Sequence, residues 1–187
     1  MGLMDSFWAI CLHVDNWVTR QIERLWPKWT FVNVVMVVVA KYTPIAMLGL
    51  FVIAAADVIG GTSDERMTFF RAGSAIVAAV VIRLIHEPIS RLLARPRPFD
   101  TEPFQPLLAH DPGDSFPSNH AGGAMALACG ASGLSGYHTI LLVMAICLCI
   151  SRVYCGLHYM SDVVVGAAGG ICVGLICANL AASLAWW

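Results

Sequence analysis

Apolar residues gather in five long blocks along the chain, and a bilayer core is crossed by about 20 mostly apolar residues. The first candidate span is 31–56, interrupted by Lys41 and Pro44. The second covers 69–88, with Arg71 near one end and Arg83 towards the other. The third, 118–135, is rich in Ala and Gly. The fourth, 138–157, contains the run ILLVMAICLCI and closes on Ser151, Arg152 and Tyr154. The fifth, 163–185, is the cleanest, with Trp186 and Trp187 after it as interfacial anchors. Residues 4–28 differ: Phe7, Ile10, Cys11, Val14, Trp17, Val18, Ile22 and Leu25 recur at helical spacing, with Asp15, Arg20, Glu23 and Arg24 between them. That pattern predicts an amphipathic helix lying in the interface, with a sixth, poorly apolar span as the alternative. The expected fold is all-α, a polytopic membrane helix bundle of five spans plus the N-terminal helix, forming a single domain over 1–187.

Composition agrees with the pattern. Hydrophobic residues make up 58% of the 187 and charged residues 12%, against roughly 45–50% and 25% in soluble domains. Mean hydropathy is +0.74. The net charge of −1 leaves no basic excess to neutralise a nucleic-acid backbone, so no nucleic-acid partner is expected. The seven cysteines include no CxxC pair, and most lie in apolar stretches, where cysteine behaves as a small hydrophobe. Asp5 stands where a signal peptide would carry positive charge. Small residues recur every fourth position at Gly166, Gly170, Gly174 and Ala178, a stripe that lets helices approach closely. Packing within the chain is the preferred reading of that stripe, and a homodimer is the other.

The longest interruption, 89–117, holds six of the nine prolines and several charges. In a chain this short of charge, such a loop is where chemistry is expected. Counting crossings brings three polar clusters to one membrane side. The first is Arg91, Arg95 and Arg97, with prolines at 96 and 98 stiffening the backbone. Arginine offers a rigid fork of donors matched to phosphate oxygens, although a basic patch gripping lipid headgroups would look the same. The second is Pro117-Ser118-Asn119-His120, in which Ser118 is a good N-cap and the helix start presents free N–H groups to an anion. Taken alone it reads first as a capped helix with an interfacial histidine. The third is Ser151-Arg152, then His158 and Asp162, the last two sharing a face if the segment between them is helical. A carboxylate beside a histidine fixes its tautomer and raises its nucleophilicity.

Together the clusters supply two histidines, a carboxylate, several arginines and a helix N-terminus, the inventory phosphoryl transfer requires. Two other readings of the same residues stay open. His86, Glu87, His120, His158 and Asp162 could ligate a divalent ion, but the arginines would repel it. A lipid-phosphate binding protein would need the cations and not the acid and nucleophile.

These motifs carry a resemblance. Arg97-Pro98, PSNH at 117–120 and SRVYCGLHYMSD at 151–162 resemble the three signatures of the type 2 phosphatidic acid phosphatase superfamily. The short length and the loop between 95 and 121 look most like its small bacterial undecaprenyl pyrophosphate phosphatases of the bacitracin-resistance type. The first signature departs: the pattern's lysine falls on Ser90, with Arg91 one place later. Either Arg91 substitutes from a shifted position or this branch does without that cation.

The resemblance implies that His158 attacks phosphorus, with Asp162 orienting it, and that His120 protonates the leaving oxygen. It implies that Arg97, Arg152, Ser118 and the backbone near Asn119 hold the phosphoryl oxygens, with Arg91 as a further candidate. No metal and no cofactor are implied. The partners would be a polyprenyl or other lipid phosphate and the membrane lipids. The location implied is a bacterial inner membrane, with the site on the extracytoplasmic face. The lysine and arginine count outside the motifs leans the other way if 4–28 lies on the site side: Arg20, Arg24 and Lys28 oppose Arg66 and Arg71.

Overall fold

The computed structural model describes residues 3–61, 65–110, 113–134 and 136–185, and every regular element among them is a helix. Seven follow one another: α1 (Leu3–Glu23), α2 (Thr30–Gly61), α3 (Glu65–Leu93), the single turn α4 (Pro98–Thr101), α5 (Asn119–Gly130), α6 (Tyr137–Tyr154) and α7 (Met160–Ala185). Trp186 and Trp187, and the side chains of Phe7, Ile10 and Arg66, lie outside the described residues.

Four stretches are long and apolar enough to cross a membrane: Thr30–Ala56, Phe70–Thr101, Tyr137–Tyr154 and Met160–Leu184. Their outward faces carry Ile45, Val52, Leu84, Ile176 and Leu180, all exposed, as expected where lipid is the solvent. The membrane-bundle architecture stands, and four of the five expected spans are long helices among the described residues. The third expected span is a helix of only 12 residues, about 18 Å long against a hydrocarbon core of about 30 Å. Its composition explains its length. Ala121, Gly122, Ala124, Met125, Ala126, Ala128, Cys129 and Gly130 are all buried, so α5 is enclosed by protein nearly all round and need not reach both faces.

α5 packs chiefly against α7 and α3, with α6 also beside it. The small-residue stripe of α7 makes the closest of these contacts. A Cβ on Gly166 would lie 2.6 Å from the Ser118 carbonyl oxygen, and one on Gly170 would run into the Gly122 carbonyl. The stripe is therefore a packing surface inside the molecule, its preferred reading.

The chain alternates sides so that one end of the bundle collects the polar segments. α3 delivers the 94–118 loop there, α6 ends there, and α7 leaves from there. The helical part of the expected 89–117 loop is its start, since α3 continues through Pro88 to Leu93. α3 stops at Ala94, whose positive φ of 42° turns the chain out of the helix, and Pro96 two residues on prevents its continuation. α1 is amphipathic as expected and lies at the same end. It exposes Leu12, Val14 and Trp17 while burying Asp15 and Thr19 against the polar loops. Trp26, after α1, donates from Nε1 to the Tyr154 carbonyl at 3.0 Å, and the Tyr154 hydroxyl donates to Asn33 at 2.8 Å. These bonds tie the α1–α2 turn to the end of α6.

Candidate active site

His158 lies in the short connection between α6 and α7, two residues before the helix begins. Gly156 makes that connection with a φ of +74°, and a Cβ there would meet the ring of Phe104 at 2.8 Å. The imidazole is buried, and its Nδ1 lies 2.8 Å from the backbone carbonyl oxygen of Ser115. A carbonyl can only accept, so Nδ1 carries the proton and Nε2 keeps its lone pair. Nε2 lies 3.4 Å from Nη1 of Arg97. Burial, then the charges of Arg152 and Arg97, hold His158 well below the ordinary imidazole range, opposed by the bond to the Ser115 carbonyl. The free Nε2 is therefore unprotonated near neutral pH, with its lone pair available.

Asp162 sits in the first turn of α7, but its nearer oxygen is 3.9 Å from His158 Nδ1. The helical-face arrangement expected from the i,i+4 spacing does not form, because α7 starts at Met160. Instead the carboxylate accepts from the Ser115 hydroxyl, from the Tyr159 backbone N–H at 2.8 Å and from Arg95 Nη1 at 2.6 Å. Asp162 therefore fixes Ser115, and the Ser115 carbonyl fixes the histidine. Orientation passes through a neighbouring backbone rather than through a direct carboxylate–imidazole bond.

Arg97 and Arg152 form the cationic wall. Arg97 donates from Nη1 to the Leu157 carbonyl at 3.0 Å, and its Nε has no partner among the described residues. Arg152, on the last turn of α6, is only 2% exposed, and its Nε and Nη2 are likewise unpartnered. Two guanidinium ions buried together with donors unused form a costly arrangement that an anion relieves. Opposite them, Ser118 caps α5: its hydroxyl accepts from Ala121 N–H at 3.4 Å, its carbonyl accepts from Gly122 N–H, and its own N–H donates to the Asp162 carbonyl at 3.0 Å. The N–H groups of Asn119 and His120, first in the helix, have no partner within it. His120 is exposed on that first turn and lines a cavity of about 450 Å³ with Asn119, whose buried Oδ1 is unpartnered.

The structure thus gathers His158, His120, Asp162, Arg97, Arg152, Ser118 and Asn119 at one end of the bundle. Arg91 is the exception. Each helical residue turns the side chain by about 100°, so where Ser90 is buried Arg91 points outward. There it binds Glu87 through Nε and Nη2 at 3.1 and 2.8 Å. It does not stand in for the missing lysine. Among the described residues, no group of three His, Cys, Asp or Glu side chains is placed to hold a metal ion.

Sequence reasoning missed Ser115 and Asp15, and it placed Arg95 among arginines matched to phosphate rather than between two carboxylates. Arg95 bridges two carboxylates, Asp162 at 2.6 Å and Asp15 of α1 at 2.7 Å, with its guanidinium 4.2 Å from the centre of the Tyr159 ring. Asp15 also accepts from the Ser161 N–H at 2.9 Å and from the Ser161 hydroxyl. The available signal was a lone aspartate on the inner face of an amphipathic helix.

Residues 70–185 match the PAP2 superfamily. No curated protein matches the chain. Among solved structures, the chain is similar to the transmembrane PAP2-type phosphatidylglycerolphosphate phosphatase of Bacillus subtilis, with a TM-score of 0.66 and 22% identity over 92% of this chain and 85% of that one. It is also similar to LpxE of Aquifex aeolicus, with a TM-score of 0.63 and 22% identity over 80% of this chain and 86% of that one. At that identity both likenesses speak to the fold.

Proposed function

Because the chain belongs to the PAP2 superfamily, a superfamily of phosphatases, we propose that it hydrolyses undecaprenyl pyrophosphate to undecaprenyl phosphate and inorganic phosphate through a phosphohistidine on His158. The observation that carries this reading is the pair of buried guanidinium groups with unused donors, Arg97 and Arg152, flanking an unprotonated imidazole nitrogen. A phosphoryl group satisfies those donors while presenting its phosphorus to Nε2.

In the first step the Nε2 lone pair forms a P–N bond to the terminal phosphorus as the bridging P–O bond breaks. The electron pair passes to the bridging oxygen, which takes a proton from His120. Charge growing on the equatorial oxygens is met by Arg97, Arg152, the Ser118 hydroxyl and the N–H groups of Asn119 and His120, donors already fixed before reaction. In the second step His120 takes a proton from water, the water oxygen attacks phosphorus, and the P–N bond breaks to release inorganic phosphate and restore His158. Neither step calls on a metal or cofactor.

The reading places the site at the extracytoplasmic face of a bacterial inner membrane, supported by the family resemblance of the three motifs. Phosphatidylglycerol phosphate is the second substrate reading, favoured by the Bacillus subtilis neighbour. The test is phosphate release by purified protein in detergent with excess chelator. Undecaprenyl pyrophosphate, phosphatidylglycerol phosphate and phosphatidic acid would be compared, with His158→Ala as control. The expected result is release that survives chelator, is fastest from the pyrophosphate and vanishes in the variant. Release that stops in chelator and returns with one metal would overturn the mechanism. Binding of all three lipids without release would overturn the hydrolase reading.

A further inference from the structure

Arg83 is an exposed arginine towards the site end of α3, between Ile82 on one side and Leu84 and Ile85 on the other. An ionised side chain in a membrane-embedded helix is costly and defaults to a functional role with a partner to be named. Arg83 has no hydrogen bond or ion pair with any described residue. It lines the cavity of about 450 Å³ that also holds Asn119 and His120. The remaining walls are apolar: Pro44, Met47 and Leu48 of α2, Ile76 and Val80 of α3, and Leu148 of α6, among others.

The order of charges gives this arginine its meaning. Arg97 Nη1 lies 3.4 Å from His158 Nε2, and the charges of Arg152, Arg97 and His120 all bear on that imidazole. His120 feels Arg152 and Arg97 and also Arg83. Arg97 and Arg152 are absent from the lining of the cavity, whereas His120 belongs to it. His120 is therefore the residue the two surroundings share: its charge bears on His158, and it lines the cavity together with Arg83. In an in-line displacement the leaving oxygen departs away from the nucleophile. The group attached to that oxygen must then pass His120 and enter the cavity where Arg83 waits.

We infer that Arg83 forms a second anion subsite, which binds the phosphate carried by the leaving group of a lipid diphosphate while the hydrocarbon chain occupies the apolar walls below it. The inference rests on the hydrolase reading above and deepens it. When His158 takes the terminal phosphoryl group and the bridging P–O bond breaks, the departing lipid phosphate gains an anionic oxygen that His120 protonates. Its other oxygens remain charged and pair with the Arg83 guanidinium. A monoester such as phosphatidic acid departs as an alcohol and brings no charge to that position. The arginine thus favours substrates whose leaving group carries its own phosphate.

The test is the ratio of kcat/KM for undecaprenyl pyrophosphate to that for phosphatidic acid, with phosphatidylglycerol phosphate as a third substrate. It is measured in wild type, Arg83→Gln and Arg83→Lys. Loss of a charge-assisted bond made to one substrate and not the other lowers the ratio about tenfold to a hundredfold in Arg83→Gln. Arg83→Lys is expected to recover part of it. Turnover of phosphatidic acid in each variant reports that the protein is folded, and if Arg83→Gln fails to fold, the Lys variant reads a smaller fall in the same ratio. An unchanged ratio would overturn the inference and leave Arg83 as a contact for bulk lipid headgroups. A fall confined to phosphatidylglycerol phosphate would overturn the assignment to a directly linked phosphate. Wild-type protein that releases phosphate from none of the three overturns the hydrolase reading itself, and this inference with it.

Discussion

The direction in which His158 points is decided by a backbone carbonyl, that of Ser115, and the carboxylate expected to do so acts one bond further away. Spacing between His158 and Asp162 was readable because side chains differ from residue to residue. A carbonyl is the same at every position, so nothing in the sequence marks Ser115 as the partner. Arg152 was expected from the sequence to hold phosphate, and its unused donors are what that proposed role would employ. Replacing it with glutamine removes a donor fixed ahead of reaction, which typically costs about 10² to 10³ in kcat. It also removes the charge that, of the three bearing on His158, depresses it most. A nucleophile must be unprotonated, and a lowered pKa keeps it so to a more acid pH. The acid limb of kcat/KM in the wild type is therefore expected below about pH 6.5, the ordinary imidazole value. In Arg152→Gln that limb should move upward. A pH–rate profile of both proteins checks this, and an unmoved limb would show that another group controls it.

At the scale of elements, the long helices were legible because lipid imposes length and apolarity on whatever crosses it. α5 was legible as a helix but not as a short one. Its Ala and Gly content was read as a span, whereas those residues serve close packing inside the protein, where length is unconstrained. α1 shows the opposite gap: its amphipathic pattern was plain, but its part in the site was not. Asp15 counted only as one of the polar residues between the apolar ones, yet it is 2% exposed and bonded to Arg95 and Ser161. Through Arg95 it reaches Asp162, and through Ser161 it holds the first turn of α7. Removing one member of a buried charge set leaves the other uncompensated, at a typical cost of about 3–5 kcal/mol. Asp15→Ala is expected to lower thermal stability in detergent accordingly and to reduce kcat with little change in KM, because the residue touches no substrate. Asp15→Glu should recover part of both. A variant with wild-type melting and turnover would show that α1 merely rests on the site.

The whole molecule raises the question of sidedness, where two physical arguments oppose each other. α1 lies at the site end of the bundle, which puts Arg20, Arg24 and Lys28 on the same side as the 94–118 loop, and charge asymmetry then favours a cytoplasmic site. Arg20 is partly occupied there, since it pairs with Glu102 of the 94–118 loop at 3.0 Å. The remaining margin is small, and arginines fixed by chemistry, such as Arg95 and Arg97, are retained whatever side they face. A lipid diphosphate displayed outside the cell can be cleaved only by a site that opens there, so the proposed substrate requires an extracytoplasmic loop. Asp114 is exposed in that loop, and a cysteine placed there reports its side directly. Cys11 on α1 is the one native thiol of the site end that is not fully buried, while Cys147 and Cys172 are exposed on the membrane-crossing helices. The experiment is therefore Asp114→Cys in a Cys11→Ser background, treated in intact spheroplasts with a membrane-impermeant maleimide. Labelling without lysis is the expected outcome. Labelling only after lysis would put the site in the cytoplasm, and the substrate would then have to be a lipid phosphate produced on the inner leaflet.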